Sequence, residues 1–426
     1  MCDTTLRRTL RALPLLLATV LLALLLFAGA GRGDTVSDLE RRTASVRQDL
    51  VRWEVTHFLD KWWSRLATVV LRQDSSEEAK TKARATFFGL GPRIEGAGRA
   101  LDQALALSAD ERARAVEDIA MELQSLEDER KDAQPLVEEA IEGAITAALN
   151  DLGVIGRLGP FRWPPVDFTF EQRPLVLVRS PRDEVRRLDD RLLRADVDLL
   201  TQQRLEDEVE ADVAGVSALV VRVGGIATYP AQVSPSLSLH DTLILASHEW
   251  THHWLIFRPL GQRWWEGGEL TSINETFADI VGEEVGDLAL ARLTGEVFER
   301  PPWKAPVLEP AKGEGPNAFS FQRYMRDTRM RLDDLLSEGR VAGAEAWLEE
   351  RRLGLVANGQ NVRKLNTAFF AFHGTYAADP RGGSVNPIEG QLRMLRAAAG
   401  SLAKFANQVS GITKVGQLET MARAAG

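Results

Sequence analysis

Cysteine is almost missing from this chain: the single one among 426 residues is Cys2. A disulfide framework and a thiolate metal cluster are both excluded, so a metal site here must be built from histidine and carboxylate. Histidine is scarce too. There are six, and three of them, His248, His252 and His253, fall within six positions of one another. Positive charge is in deficit, with 52 Lys and Arg against 61 Asp and Glu and a formal net charge of −9. That argues against nucleic acid as a main partner, because phosphate binding wants a basic surface. What remains is ordinary for a globular protein with a sizeable core: 44% hydrophobic and 27% charged residues.

The one long apolar run is at the start. Arg7, Arg8 and Arg11 precede an uncharged, Leu-rich stretch from Ala12 to Ala30. This reads as a signal anchor or a signal peptide over residues 1–31, with Ala28-Gly29-Ala30 offering a cleavage pattern. The expectation is a transmembrane helix tethering an extracytoplasmic body, or a secreted body if the segment is removed. Arg32, Arg41 and Arg42 on the far side weaken the charge bias.

Three stretches follow. Residues 32–158 read as a helical membrane-proximal region, with a break expected at Gly89–Gly98 and an interruption at Pro135. At Gly159 the texture changes. Val166 to Phe170 alternates, Leu175 to Val178 is a short apolar run, and Ser217 to Val223 reads as a buried strand. Ser180-Pro181 reads as the start of a charged helix, and Ile226 to Val233 as an edge strand tolerating Pro230. Apolar helices are expected over Asp241–Phe257 and Ser272–Val285. Residues 291–426 read as a helical C-terminal subdomain. The fold class is therefore α+β, predominantly helical, with a small sheet and an active-site helix in a unit at 159–290, flanked by helical regions.

His248-Glu249-Trp250-Thr251-His252 is H-E-x-x-H. On a helix, two histidines four apart lie one turn above each other on one face. Both imidazoles can then reach one zinc at about 2.0–2.1 Å. Glu249, about 100° round the helix, is placed to take a proton from a water that the metal activates. His253 points a similar angle away from His252 and reads as a surface or outer-layer residue rather than a ligand. A catalytic zinc needs a third protein ligand. Carboxylates are at hand in Ser272-Ile273-Asn274-Glu275-Thr276-Phe277-Ala278-Asp279-Ile280-Val281-Gly282. Alternatively, Ser272-x-x-Glu275 matches a capping box, in which Glu275 reaches back to the Ser272 amide. Glu283 and Glu284 stand in reserve as ligands.

H-E-x-x-H followed by I-N-E-x-x-x-D-I-x-G resembles the gluzincin clan of zinc peptidases, in particular its thermolysin-like pattern. The resemblance covers roughly Ser217 to Gly286 and implies a zincin-like catalytic unit binding one Zn²⁺ per chain. By position it makes Glu275 the third ligand and Asp279 the carboxylate that orients a ligand histidine. The gap from His252 to Glu275 is slightly longer than the family's. The clan also uses a Tyr or His from the C-terminal subdomain as oxyanion donor. Among only three tyrosines, Tyr376 is the candidate here, with His373 beside it and Tyr324 behind. The expected function is hydrolysis of peptide bonds in a polypeptide substrate. The rivals are a zinc hydrolase of non-peptide bonds and a non-catalytic helical envelope scaffold. Oligomeric state is not legible.

Overall fold

The computed structural model describes residues 43–48, 76–105, 109–158, 161–172, 174–223, 225–266, 268–304, 319–374, 380–383 and 387–425. It is a predominantly helical α+β structure with small sheets.

The chain opens with two long helices packed on each other, α1 (Glu77–Leu105) and α2 (Ala109–Asp151). Helix α1 runs straight through Gly89–Gly98 and Pro92, where a break was expected, and Pro135 likewise lies inside α2. Each glycine costs about 1 kcal/mol against alanine and the proline about 3 kcal/mol. Packing outweighs this: Phe87 and Leu90 are buried on one face of α1, Phe87 beside Ile141 of α2 and against the Phe170 ring at 4.4 Å.

A hairpin, β1 (Gly156–Leu158) and β2 (Phe161–Trp163), leads to two three-stranded sheets. In the first, β4 (Leu175–Pro181) is central, antiparallel to β5 (Asp189–Leu193) and β6 (Val216–Arg222). Leu175 and Leu177 face Leu205 and Val209 of α3 (Leu199–Asp212). Val176 and Val178 face Met325 and Leu332 of α7 (Phe321–Ser337) and Phe369 and Phe370 of α9 (Thr367–His373). Helix α8 (Val341–Ala357) completes that layer. Both faces of β4 are buried over Leu175–Val178, which is why that stretch is continuously apolar. The expected helix at Ser180-Pro181 is instead the end of β4 and a turn into β5. Ser180 Oγ accepts from Arg186 N at 3.3 Å, and Arg179 pairs with Asp189 across the strands.

In the second sheet β8 (Ala231–Val233) is central, parallel to β3 (Phe168–Phe170) and antiparallel to β7 (Gly225–Ile226). The expected edge strand Ile226–Val233 is thus two strands, with Pro230 in their connection and β7 alone at the edge.

The other three edges of these sheets are occupied. Glu138 and Glu142 of α2 accept from Phe170 N and Phe168 N at 2.9 and 3.1 Å, and Gln134 Nε2 donates to Phe170 O. Glu206 and Glu210 of α3 accept from Val220 N and Ala218 N at 2.6 and 2.8 Å on β6. Residues 46 and 48 exchange backbone hydrogen bonds with Arg194 and Leu192 beside β5. The helical device rests on matched repeats: four helical residues rise about 6 Å, and two strand residues advance about 6.6–6.8 Å. Glu-x-x-x-Glu therefore meets alternate N–H groups of a strand edge.

The largest core gathers residues from Ala83 to Leu418. It includes α2, β3, β8, the site helices α4 (Leu239–Leu255) and α6 (Gly268–Thr294), and α10 (Ile388–Ala398), α11 (Leu402–Val409) and α12 (Val415–Ala425). The short α5 (Pro259–Gln262) and a 3₁₀ turn at Trp264–Glu266 join α4 to α6.

The membrane expectation is corrected here. Among the described residues no helix is long and apolar enough to cross a membrane. The Ala12–Ala30 run that prompted it lies outside those residues. Attachment through an N-terminal transmembrane helix, and the extracytoplasmic location inferred from it, therefore have no support in the structure.

Candidate metal centre

Helix α4 starts at Ser238, whose Oγ accepts from Asp241 N at 3.1 Å. Leu243, Ala246, Trp250 and Trp254 turn to the core. Helix α6 lies antiparallel against it in a ladder with a four-residue step. His240 meets Asp287 at 2.7 Å, Ile244 meets Gly282 and Gly286, His248 meets Asp279, and His252 meets Asn274. The glycines set the spacing. A Cβ on Gly282 would lie 2.8 Å from Ile244 O and 3.1 Å from His248 Cβ, and one on Gly286 would lie 2.7 Å from Ile244 Cγ1.

At this contact the Nε2 atoms of His248 and His252 are 3.0 Å apart. Glu275 Oε2 lies 3.3 Å from the first and 3.5 Å from the second. Each imidazole is held from behind: His248 Nδ1 by Asp279 Oδ1 at 2.9 Å, His252 Nδ1 by Asn274 Oδ1 at 3.0 Å. With Nδ1–H donated to these acceptors, both Nε2 lone pairs point at one spot. Glu275 Oε2 is buried and has hydrogen-bond geometry to no described group. Three converging electron-pair donors, one of them an orphaned carboxylate oxygen, fit a cation between them. All three ligand atoms lie within 4.8 Å of one another, so the cluster could hold a metal ion.

The protonation pattern agrees. Burial alone would lower the pKa of His248, but its contacts with Asp279 and Glu275 outweigh burial and raise it well above the ordinary value. Burial alone would raise the carboxyl of Glu275, but His252 and His248 hold it down at about 2. A metal ion at this spot would compete with any proton shared between His248 and Glu275. Glu249 is only 4% exposed, and burial raises its carboxyl against the pull of His248 and His252. Trp264 stands edge-on to His252 at 5.4 Å between ring centres.

Other candidates fall elsewhere. Ser272 sits inside α6, four residues past its start, so it does not cap that helix. Glu283 and Glu284 make paired hydrogen bonds to Arg393 and Arg396 of α10. His373 is buried between the Phe369 and Phe372 rings on α9, which packs on β4 and β6 rather than within the His248 cluster. Tyr324 donates to Arg351 O at 2.9 Å in the same second core. Tyr376 lies outside the described residues.

Sequence reasoning assigned nothing to Asn274, although it stands beside Glu275 in the motif; one helical step turns it to His252. It read His253 as a surface or outer-layer residue and named no partner for it. His253 is buried, its Nε2 donates to Thr228 O at 2.8 Å, and burial pushes its pKa down to about 4. No local pattern announces that partner, which is 25 residues away.

No protein-family model, curated protein or solved structure matches this chain. The fold and site define a predominantly helical α+β protein with a buried His-His-Glu cluster able to hold a metal ion.

Proposed function

We propose that this chain is a zinc-dependent hydrolase acting on peptide bonds, with His248, His252 and Glu275 as ligands and Glu249 as general base. The observation that carries the reading is Glu275 Oε2, buried without a hydrogen bond between two Nε2 atoms whose rings are fixed at Nδ1. Two imidazoles and one carboxylate, with no thiolate, suit zinc, and three protein ligands leave a position open for chemistry. Bound there, zinc would supply Lewis acidity toward a carbonyl and toward water. Glu249 is the group that moves protons: its carboxylate takes one from the attacking water and returns it to the leaving nitrogen. Burial beside the cluster tunes it for that exchange by raising its carboxyl. Asp279 and Asn274 hold the rings. The β7 edge, to whose outer side no described strand pairs, offers main-chain groups to an extended polypeptide.

The test is metal content followed by cleavage. Purified full chain should hold about one zinc, as the ligand set requires, and His248→Ala should lose it. Glu249→Gln should keep the zinc while abolishing cleavage of a panel of quenched peptides. Failure of the folded chain to take up zinc overturns the reading. Zinc bound with no peptide cleaved overturns the peptidase part of it.

A further inference from the structure

We propose that His253 is a positioning residue that pins the β7–β8 connection, and with it the open β7 edge, to the site helix. An extended polypeptide on that edge would then meet the metal cluster in one register; this rests on the peptidase reading above.

His253 follows His252 directly and points about 100° away from it. Its ring is 4% exposed, and Nε2 lies 2.8 Å from Thr228 O. A carbonyl only accepts, so Nε2 carries the hydrogen and Nδ1 the lone pair. Nδ1 is buried and has no hydrogen-bond partner among the described residues. Packing therefore does not explain an imidazole here, since phenylalanine would fill the space without an unmet polar atom. The bond to Thr228 O does.

That bond lands at a decisive place. Thr228 lies two residues after β7 and three before β8. It is buried, and its Oγ1 donates to Pro230 O at 2.8 Å, closing the connection on itself. The Tyr229 ring lies 5.4 Å from the His253 ring. Strands β7 and β8 both pack on α4, yet β7 is only two residues long, too short for its ladder to β8 to fix its position alone. The edges at β3, β5 and β6 are already occupied. Of the four edges of the two three-stranded sheets, β7's is thus the one with no described group paired to it, and it is anchored from the residue next to a ligand histidine.

The experiment compares wild type, His253→Gln, which keeps a donor at the Nε2 position, and His253→Phe, which keeps ring volume without one. Zinc content, KM and kcat on a quenched peptide that wild type cleaves, and amide hydrogen exchange over residues 225–233 are measured. All three should bind zinc equally. His253→Phe should raise KM by about tenfold with kcat within about twofold, the pattern of lost uniform binding, and should speed exchange in 225–233. His253→Gln should restore both. If His253→Phe does not fold, His253→Asn, whose amide stops short of the carbonyl, makes the same comparison. Wild-type KM and exchange in the donor-less variant overturn the proposal. So does loss of zinc or of kcat at unchanged KM, which would place the effect on the site helix itself. A wild-type chain that cleaves no peptide overturns the peptidase reading and this proposal together, and is recognised before any variant is compared.

Discussion

His248 and His252 are held at Nδ1 by acceptors of different charge. Asp279 offers a carboxylate oxygen at 2.9 Å and Asn274 a neutral amide oxygen at 3.0 Å. Both fix the tautomer that frees Nε2, but a carboxylate also strengthens the imidazole as a donor to a metal. The two supports should therefore differ in what their loss does. Asp279→Ala is expected to weaken zinc binding by about 10–100-fold, the usual range for outer partners of a ligand, and Asn274→Ala by less. Competition against a fluorescent zinc chelator measures both. Equal affinity in wild type and Asp279→Ala would show that the carboxylate does not support the ligand. The residues at this scale were partly legible because H-E-x-x-H and Glu275-x-x-x-Asp279 are single-helix patterns, in which four residues bring side chains onto one face. Asn274 and His253 were not, because their roles depend on which neighbouring element arrives, and neither is encoded by spacing within a helix.

Between elements, the contact that assembles the cluster is the α4–α6 crossing, and its closeness depends on two glycines, of which the motif contains only Gly282. Gly282 and Gly286 admit the backbone of Ile244, whereas Gly89 faces open space. The same substitution should then act with opposite sign at the two places. Gly282→Ala inserts a Cβ 2.8 Å from Ile244 O. The helices must part, which costs about 1–3 kcal/mol as overpacking and is offset only in part by about 1 kcal/mol of helix propensity. Because Asp279 and Glu275 sit on the same helix, zinc affinity should fall with stability. Gly89→Ala meets nothing and should stabilise by up to about 1 kcal/mol. Denaturant unfolding of the two variants checks the pair. A Gly282→Ala chain as stable as wild type would mean that the crossing is looser than its geometry implies. The sheet edges carry the same lesson. Glu138-x-x-x-Glu142 and Glu206-x-x-x-Glu210 look like solvated helix faces in sequence, and only packing shows each pair capping a strand.

Across the whole molecule, the texture change at Gly159 marks where strands begin, but the core does not follow the order of the chain. Phe87 and Ile141 from helices α1 and α2, Trp250 and Phe277 from the site helices, and Phe405 and Leu418 near the C-terminus lie in one cluster. Helix α6 is tied outward at several points: Glu283 and Glu284 to Arg393 and Arg396, Arg292 to Asp151, and Leu293 O to Arg84. These long-range pairs could not be read from sequence, since any charged helix face offers such residues. Their consequence is that a ligand on α4 and α6 acts on the core of the protein rather than on a detached loop. Zinc at about 100 times its dissociation constant should add about 2.7 kcal/mol to folding. At about 2.1 cal/mol/K of unfolding entropy per residue, a cooperative unit of about 350–400 residues should have its unfolding midpoint raised by about 3–4 °C. Removing zinc with a chelator should lower the main transition seen by calorimetry, α10 to α12 melting with it, and His248→Ala should melt at one temperature with or without zinc. A midpoint unmoved by zinc in wild type, or a shift confined to a minor transition, would show that the cluster is not coupled to the core in which its helices lie.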